Sequence, residues 1–218
     1  MIEKAEEVSV VAGGWSFSQV GKGTVLPGKV IAVNDAAIHL PRCDFVVSMD
    51  RLWTEYRWRA LLKMDKPTWI RRSALKNVWR QEGETWGNLH PFECDHEESV
   101  FSRPGSSETL NGTNSGHCAL NLAHKMRPTA LYLFGFDMAR GPKGESHWYP
   151  SYPWAPGGAT KKGHYRNWTK DLDHAAQQFA DAGTVVFLVG SQTQLKFVKS
   201  LNLDFFKEMA NDRSTDKA

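Results

Sequence analysis

The stretch LNGTNSGHCALNLA (residues 110–123), followed by ALYLFGFD (residues 130–137), decides the fold. The first part joins a turn of small hydrogen-bonding residues to a helix-like apolar pattern. The second part is a hydrophobic run closed by a glycine and a carboxylate. The order is therefore loop, helix, strand and a polar residue at the carboxyl end of the strand. In open α/β sheets, ligands bind at this edge and at helix N-termini, so the stretch predicts both a fold class and a site.

The turn before the predicted helix carries groups that could hold a phosphate. These are the hydroxyls of Thr113 and Ser115, the amide of Asn114 and the free main-chain N–H groups of a first helical turn that contains Gly116. The same residue types are equally typical of a helix N-cap and a tight turn that bind nothing. Both interpretations remain open at the level of the sequence.

Three segments nearer the N-terminus have the same form as this unit. The β-branched run at residues 8–12 leads into the turn Gly13-Gly14-Trp15-Ser16, which resembles a phosphate-binding turn without matching GxGxxG or a P-loop. Residues 29–37 and 43–50 are predicted as the second and third strands, because their apolar runs are typical of parallel strands covered on both faces. They end in Asn34-Asp35 and in Asp50. Parallel strands share one carboxyl edge, so Gly13, Gly14, Asn34 and the Ser115 turn should converge.

The rest of the chain alternates predicted helices and strands, which favours a mostly parallel sheet in a three-layer sandwich. Residues 81–107 read as irregular with short strands, and residues 139–165 as a long loop of the kind that often closes over a site. We expect one domain over residues 1–210 and a flexible tail over residues 211–218. Further predicted elements are helices at 52–63, 116–125, 168–183 and 195–201, and strands at 66–71, 130–134 and 184–189.

Composition narrows the class of protein. Hydrophobic residues make up 41% and charged residues 23% of the 218 residues, which is ordinary for a globular protein, and the net charge of +3 does not demand a nucleic-acid ligand. Three cysteines without CxxC spacing argue against a disulfide framework or a cysteine zinc site. The chain has no apolar run near the ~20 residues of a membrane span and no signal-peptide core. The expected location is cytoplasmic.

Two carboxylates and two histidines are candidates for chemistry. Asp50 and Asp137 follow strands at the presumed ligand edge, where a carboxylate can bind a ribose, hold a divalent ion or cap a helix. His164 lies among basic residues in the long loop, and a histidine of near-neutral pKa can deprotonate an acceptor hydroxyl. His147 lies in the same loop and competes for this role.

Several of these pieces occur in an order that resembles a known superfamily. They are strand-Gly-Gly-x-Ser, the run IAVN (residues 31–34), Pro41-x-x-Asp-Phe-Val-Val-x-x-Asp50, the turn NSG (residues 114–116) and Leu133-x-Gly-x-Asp137. The order is similar to that of the Rossmann-like superfamily that joins family 42 bacterial sialyltransferases and the proteins related to 6-hydroxymethylpterin diphosphokinase (the DUF115 group). The resemblance spans roughly residues 8–137, and phage-encoded proteins of this kind are also similar.

The resemblance implies a Rossmann-like domain with a long lid loop and assigns roles to particular residues. In the sialyltransferases the first glycine-rich turn and the asparagine after the second strand contact the nucleotide, which implies Gly13, Gly14, Ser16 and Asn34 here. The Ser-Gly turn binds phosphate and sugar, which implies residues 113–116. A late histidine acts as general base, with His164 as first candidate and His147 as second. The first turn reads GGWS, whereas the family prefers a proline before the serine.

Three hypotheses for function follow. The first is a nucleotide-dependent transferase, most simply a glycosyltransferase that takes a nucleotide-activated sugar and a second substrate that the sequence does not specify. The second is ATP-dependent diphosphoryl transfer, which needs Mg²⁺, with Asp50 or Asp137 as ligands. The third is a non-catalytic protein that uses the same fold to bind a nucleotide or nucleic acid. No cofactor is required by the first or the third.

Overall fold

The computed structural model describes residues 2–21, 23–82, 87–94, 101, 108–150, 152–154, 162–191, 193 and 197–215. Strands and helices alternate along most of this part of the chain. Its strands are β1 Glu7–Val11, β2 Lys29–Val33, β3 Phe45–Ser48, β4 Thr68–Arg71, β5 Leu89–Phe92, β6 Ala130–Phe134, β7 Val185–Val189 and β8 Lys199–Leu201. Its helices are α1 Phe17–Val20, α2 Ala36–His39, α3 Arg51–Met64, α4 Arg72–Glu82, α5 Ser115–Lys125, α6 Lys162–Asp181 and α7 Leu203–Thr215.

The eight strands form a single sheet in the order β5-β4-β3-β2-β1-β6-β7-β8, and all neighbouring strands are parallel. The chain builds outward from β1 to β5 and then crosses back to place β6 on the other side of β1. Val8 pairs with Lys29 on β2 and with Leu131 on β6. The strand order therefore reverses between β1 and β6, which creates the crevice where open α/β sheets bind ligands. The predicted parallel α/β sheet is confirmed.

Helices cover both faces of the sheet, so the domain has three layers. Alternate residues of each strand point to opposite faces. Val8 and Val10 pack with α5 and α6, whereas Val11 packs with α1, α2, α3, α4 and α7. Each fully buried aliphatic side chain contributes roughly 1.5–3 kcal/mol, so the sheet holds together mainly by burial on its two faces. None of the described helices is both long and apolar enough to cross a membrane.

The structure corrects the sequence-based elements at the C-terminal end. A short helix was expected at 195–201, but residues 199–201 form β8, because Lys199 pairs with Phe187 in the sheet. Residues 194–196 lie outside the described part. The strand at 184–189 is therefore not the last one. Helix α7 follows, and its backbone remains helical through Thr215, within the region expected to be a tail.

Two further differences concern helices. No element was predicted for residues 72–80, and the structure forms α4 there, with Ala74 and Leu75 fully buried. Helix α6 begins at Lys162, six residues before its predicted start, so the end of the predicted loop is helical. Residues 81–107 were expected to be irregular with short strands, and β5 is such a strand, while residues 83–86, 95–100 and 102–107 lie outside the described part.

Candidate functional site

A cavity of about 450 Å³ opens at the carboxyl edge of the sheet, at the crevice between β1 and β6. This volume lies within the range of small-molecule and nucleotide pockets. Segments that are far apart in sequence meet there because parallel strands end at one edge. The lining includes nearly every candidate residue from the sequence: Gly13, Gly14, Asn34, Asp50, Thr113, Asn114, Ser115, Gly116, Asp137, His147 and His164. Ser16 is fully buried behind this wall and does not line the cavity.

The floor of the cavity is made by two glycine turns in contact. The main-chain N–H of Gly14 donates to the carbonyl of Gly135 over 2.8 Å. A Cβ at Gly14 would lie 2.4 Å from both that carbonyl oxygen and Oδ2 of Asp137. Gly135 itself has a φ of +69°, a backbone conformation that residues with a side chain rarely adopt. The Gly-Gly motif is therefore required by close packing between the turns after β1 and β6, whatever else it binds.

Gly13 is required by a different neighbour, the loop that carries His147. A Cβ at Gly13 would lie 2.6 Å from Cδ2 of His147 and 2.7 Å from the hydroxyl of Tyr149. Trp148 anchors this loop, because its main-chain N–H donates to the Gly13 carbonyl over 3.0 Å and its indole N–H to the Ala12 carbonyl over 2.9 Å. The loop is thus attached directly to the end of β1.

Asn34 occupies a strained position on the cavity wall. Its φ of +52° is left-handed, which is uncommon outside glycine although asparagine tolerates it best. Its side-chain oxygen is buried yet receives no hydrogen bond from the described residues. An unpaired buried acceptor costs about 1–3 kcal/mol. Strain combined with an unsatisfied polar atom in a cleft is typical of ligand-binding positions.

The turn at residues 113–116 begins helix α5, as predicted. Asn114 is the N-cap, and its side-chain oxygen accepts the main-chain N–H of His117 over 3.0 Å. The hydroxyl of Ser115 accepts the main-chain N–H of Met49 over 3.1 Å, which ties α5 to the end of β3. A Cβ on Gly116 would lie 3.3 Å from the Phe136 ring. The N–H groups of the first two helical residues have no carbonyl partner within the helix and border the cavity.

Thr113 differs from what the phosphate hypothesis expected. Its hydroxyl donates to Oδ2 of Asp171 on α6 over 2.6 Å, so its proton is already used. A phosphate accepts hydrogen bonds, and it would be repelled by the neighbouring carboxylate. Thr113 therefore links α5 to α6, and within the turn Ser115 and the free N–H groups are the donors that remain for an anion.

The two strand-end carboxylates each have a structural partner. Oδ1 of Asp50 accepts the main-chain N–H of Trp53 over 3.0 Å and caps α3. Oδ2 of Asp137 accepts the main-chain N–H of Ser16 over 2.9 Å. Burial raises the pKa of Asp137, opposed by its hydrogen bonds from Ser16. Ser16 does not line the cavity, but its main-chain N–H holds the carboxylate of Asp137, which does.

These carboxylates fit a divalent cation poorly. Each has given one oxygen to a main-chain donor, and no group of three or more His, Cys, Asp or Glu side chains suited to a metal occurs in the described part of the chain. Mg²⁺ prefers an octahedron of oxygens and usually combines carboxylates with substrate phosphates. The described carboxylates therefore do not form a metal site by themselves.

The two candidate histidines have different surroundings. His147 is largely buried, its Nδ1 lies 2.9 Å from the hydroxyl of Ser146, and its ring stacks on Tyr149 with centroids 5.0 Å apart. Burial lowers the pKa of His147, so the ring is neutral at neutral pH. His164 lies in the first turn of α6 and is exposed at the rim of the cavity, with Trp168 beside it.

An aromatic wall completes the cavity. Tyr149 and Tyr152 are buried, with their hydroxyls 3.2 Å apart, and burial raises the pKa of both phenols. Tyr152 stacks on Trp154 at 4.8 Å with the rings 3° from parallel. Aromatic clustering was the available signal in the sequence, but it does not distinguish core packing from a cavity wall.

A buried ion pair lies close to this wall. Both carboxylate oxygens of Asp35 accept hydrogen bonds from Arg57, over 2.8 and 2.7 Å, and the indole N–H of Trp53 donates to the same carboxylate. The hydrogen bonds to Asp35 raise the pKa of Arg57. A bidentate pair of this kind stabilises the contact and also fixes the orientation of the two side chains. The pair holds α3 against the turn after β2 and next to Asn34.

The fold and the crevice together define a Rossmann-like α/β protein with a ligand cavity at its topological switch point. None of the known protein-family models matches this chain, and no curated protein sequence matches it either. Among solved structures, the chain is similar to the MAf glycosyltransferase from Magnetospirillum magneticum AMB-1, with a TM-score of 0.57 and 16% sequence identity. The match covers 98% of this chain and 38% of the other. At this identity the likeness shows the shared fold.

Proposed function

We propose that this protein is a nucleotide-dependent transferase of the glycosyltransferase type, which binds a nucleotide-activated sugar in the cavity at the switch point. The observation that carries the proposal is Asn34, a left-handed residue that lines this cavity and whose buried side-chain oxygen accepts no hydrogen bond from the described residues. The fold shared with a MAf glycosyltransferase and the resemblance to the sialyltransferase superfamily support the same class of reaction.

Asn34 supplies the recognition of the nucleoside. An amide offers both an acceptor and donors, so it can pair with a base edge or a ribose hydroxyl. A ligand that donates to the free oxygen removes the penalty of the unsatisfied acceptor. The left-handed backbone conformation of Asn34 would then be kept because it places this residue in the cavity wall.

The N-terminus of α5 supplies the phosphate site. The N–H groups of Ser115 and Gly116 and the helix dipole favour an anion there. The hydroxyl of Ser115 accepts from Met49, which leaves its own proton to donate. The described cavity lining contains no lysine or arginine, so this helix end is the main positive group that it offers.

His147 is the better placed general base of the two histidines. Its depressed pKa keeps the ring unprotonated, and an unprotonated ring is required to accept a proton from an acceptor hydroxyl. The hydrogen bonds of Trp148 to β1 fix its position, and its ring lies against Gly13 at the centre of the crevice. His164, ranked first from the sequence, is exposed at the rim and is assigned to substrate contact there.

The alternative of diphosphoryl transfer from ATP would depend on Mg²⁺. Asp50 and Asp137, its expected ligands, serve a helix cap and the Gly14 turn, so no observation favours this alternative. A non-catalytic nucleotide binder would have the same cavity without a need for a neutral buried histidine. Turnover separates it from a transferase.

Calorimetry with CMP, UDP, GDP and ATP, each with and without EDTA, tests the proposal. We expect one nucleotide to bind at millimolar affinity or tighter, independently of EDTA. Ser115→Leu should abolish this binding by filling the phosphate site. Ser18→Leu is the matched control, because Ser18 is an exposed serine on α1 whose hydroxyl bonds only its own turn. Absence of binding by all four nucleotides to the folded wild-type protein would overturn the proposal.

A further inference from the structure

Three aromatic residues extend the cavity wall toward its mouth, and we call them the aromatic shelf: Tyr56, Tyr152 and Trp154. Tyr152 and Trp154 line the cavity. Their rings are parallel within 3°, and Tyr56 meets Trp154 at a centroid distance of 4.9 Å and an angle of 63°. The three rings therefore contact one another in the order Tyr152, Trp154 and Tyr56, from the buried wall to the protein surface.

The outer part of the shelf is open to solvent although it is strongly apolar. Tyr56 is 52% exposed on α3, and Leu52, one turn earlier, is 45% exposed. Large apolar side chains that remain exposed beside a cavity mouth are typical of binding surfaces. Tyr56 and Leu52 keep their positions because the Arg57–Asp35 ion pair fixes α3.

The charges near the shelf are unfavourable to an anion. Arg57 lies 4.8 Å from the Tyr56 ring, but its guanidinium is held by both oxygens of Asp35. Asp50, at the start of the same helix, lines the cavity with its carboxylate. The Arg57–Asp35 pair is close to neutral as a unit, so a negatively charged ligand would meet the carboxylate of Asp50, and the described cavity lining offers it no lysine or arginine. The shelf is therefore suited to a neutral ligand with an apolar face.

The position of the shelf relative to His147 indicates which substrate it serves. The rings of His147 and Tyr152 are 5.5 Å apart, and those of Tyr152 and Trp154 are 4.8 Å apart. A short saccharide spans that distance. Tyr152 lies beside the main chain of Asp35, which follows Asn34, so the inner end of the shelf borders the groups proposed to bind the donor. The outer part consists of Tyr56 and Trp154, which have no hydrogen bond or ring contact with Asn34 or the Ser115 turn among the described residues.

We infer that the aromatic shelf is the acceptor subsite and that it binds the apolar face of a neutral pyranose. The inference rests on the proposed function. Axial C–H groups of a pyranose pack on aromatic rings and remove apolar surface from water. The acceptor hydroxyl then points toward His147. Its oxygen forms a bond to the anomeric carbon, the bond from that carbon to phosphate breaks with its electrons leaving on the nucleotide, and the proton goes to His147.

The test measures two affinities in the same protein. Ligand-observed NMR follows methyl β-D-glucopyranoside, methyl β-D-galactopyranoside and the anionic methyl β-D-glucuronide, each in the presence of the nucleotide identified by calorimetry. We expect a neutral glycoside to bind and the glucuronide to bind more weakly. Trp154→Leu and Tyr56→Leu should each weaken glycoside binding about tenfold and leave nucleotide affinity unchanged.

Phe205→Leu is the matched control, because Phe205 is 57% exposed on α7 and does not line the cavity. It should alter neither affinity. If the nucleotide binds and no neutral glycoside does, or if both shelf variants keep glycoside affinity, the inference is wrong and the proposed function stands. If Trp154→Leu instead reduces nucleotide affinity, the shelf holds the base, and the acceptor assignment is wrong. If no nucleotide binds, the proposed function itself fails.

Discussion

Replacing Asn34 by glycine should make the empty protein more stable and its nucleotide complex weaker. This opposite response of stability and binding is characteristic of a residue kept for function. Glycine adopts the φ of +52° without strain and removes the unpaired oxygen, while it also removes the amide proposed to read the nucleoside. Asp65→Gly is the matched control, since Asp65 has a φ of +49° at the exposed C-cap of α3 and does not line the cavity.

The magnitudes follow from the two environments. Glycine removes the strain of a left-handed side-chain-bearing residue, which stabilises the folded protein by roughly 1 kcal/mol. Its greater conformational freedom in the unfolded chain lowers the stability by about 0.5–1 kcal/mol. These two effects nearly cancel at both positions. Removing the buried unpaired acceptor adds about 1–3 kcal/mol at Asn34 alone. Asn34→Gly should thus raise the free energy of unfolding by about 1–3 kcal/mol, and Asp65→Gly should leave it nearly unchanged.

Urea unfolding monitored by circular dichroism gives the two free energies, and calorimetry gives the nucleotide affinities. At this chain length each kcal/mol shifts the melting temperature by about 2–4 °C. Loss of one amide hydrogen bond should weaken nucleotide binding up to about tenfold in Asn34→Gly and not in Asp65→Gly. A destabilised Asn34→Gly protein, or one that binds the nucleotide with wild-type affinity, would refute the reasoning.

Four further predictions concern the histidines and the α5 turn. His147→Ala should lower turnover about a hundredfold or more with nucleotide affinity retained, while His164→Ala should cost less; steady-state kinetics decides between them. Because burial lowers the pKa of His147, the acid limb of the wild-type pH–rate profile should lie below the ordinary histidine value of 6.5. Burial also lowers the pKa of His117 to about 4, so the unfolded chain takes up this proton from pH 6.5 downward and the folded protein does not. The free energy of unfolding, measured with urea, should therefore fall by about 3 kcal/mol between pH 6.5 and pH 4. His117→Asn should make the free energy of unfolding less dependent on pH over this interval. Ser115→Leu should also cost about 1–3 kcal/mol, because the N–H of Met49 loses its acceptor, and an unchanged unfolding midpoint would contradict that bond.

The sequence predicted the centre of the sheet and the meeting of the site segments. Continuous apolar runs such as residues 29–33 define parallel strands, and the polar residues after them must share an edge, so Asn34 and Ser115 were expected together. The N-cap at Asn114 was also visible in the sequence, because its side chain acts within three residues along the chain.

The sequence could not predict features that depend on distant partners. Strand β8 has only three residues with little burial, so the sequence gives it no clear period. Helix α4 is different, because Ala74, Leu75 and Val78 are buried at helical spacing and this spacing could have predicted the helix. The need for glycine at position 13 comes from His147 and Tyr149, more than a hundred residues away. Thr113 lines the cavity, and its hydroxyl also donates to Asp171, a partner that the sequence could not predict because it depends on the position of α6.

The crossover that places β6 beside β1 has a consequence for the order of folding. Strands β1 to β5 can pair successively as the chain emerges, but β6 must close a loop of more than a hundred residues before Val8 meets Leu131. Contacts so distant in sequence form slowly, because chain entropy is lost before they contribute. Gly14 and Gly135 belong to these two strand ends, so the floor of the cavity is absent until the two halves of the sheet join. Nucleotide binding should then be among the last properties that a refolding chain regains, after most of its helical signal has returned.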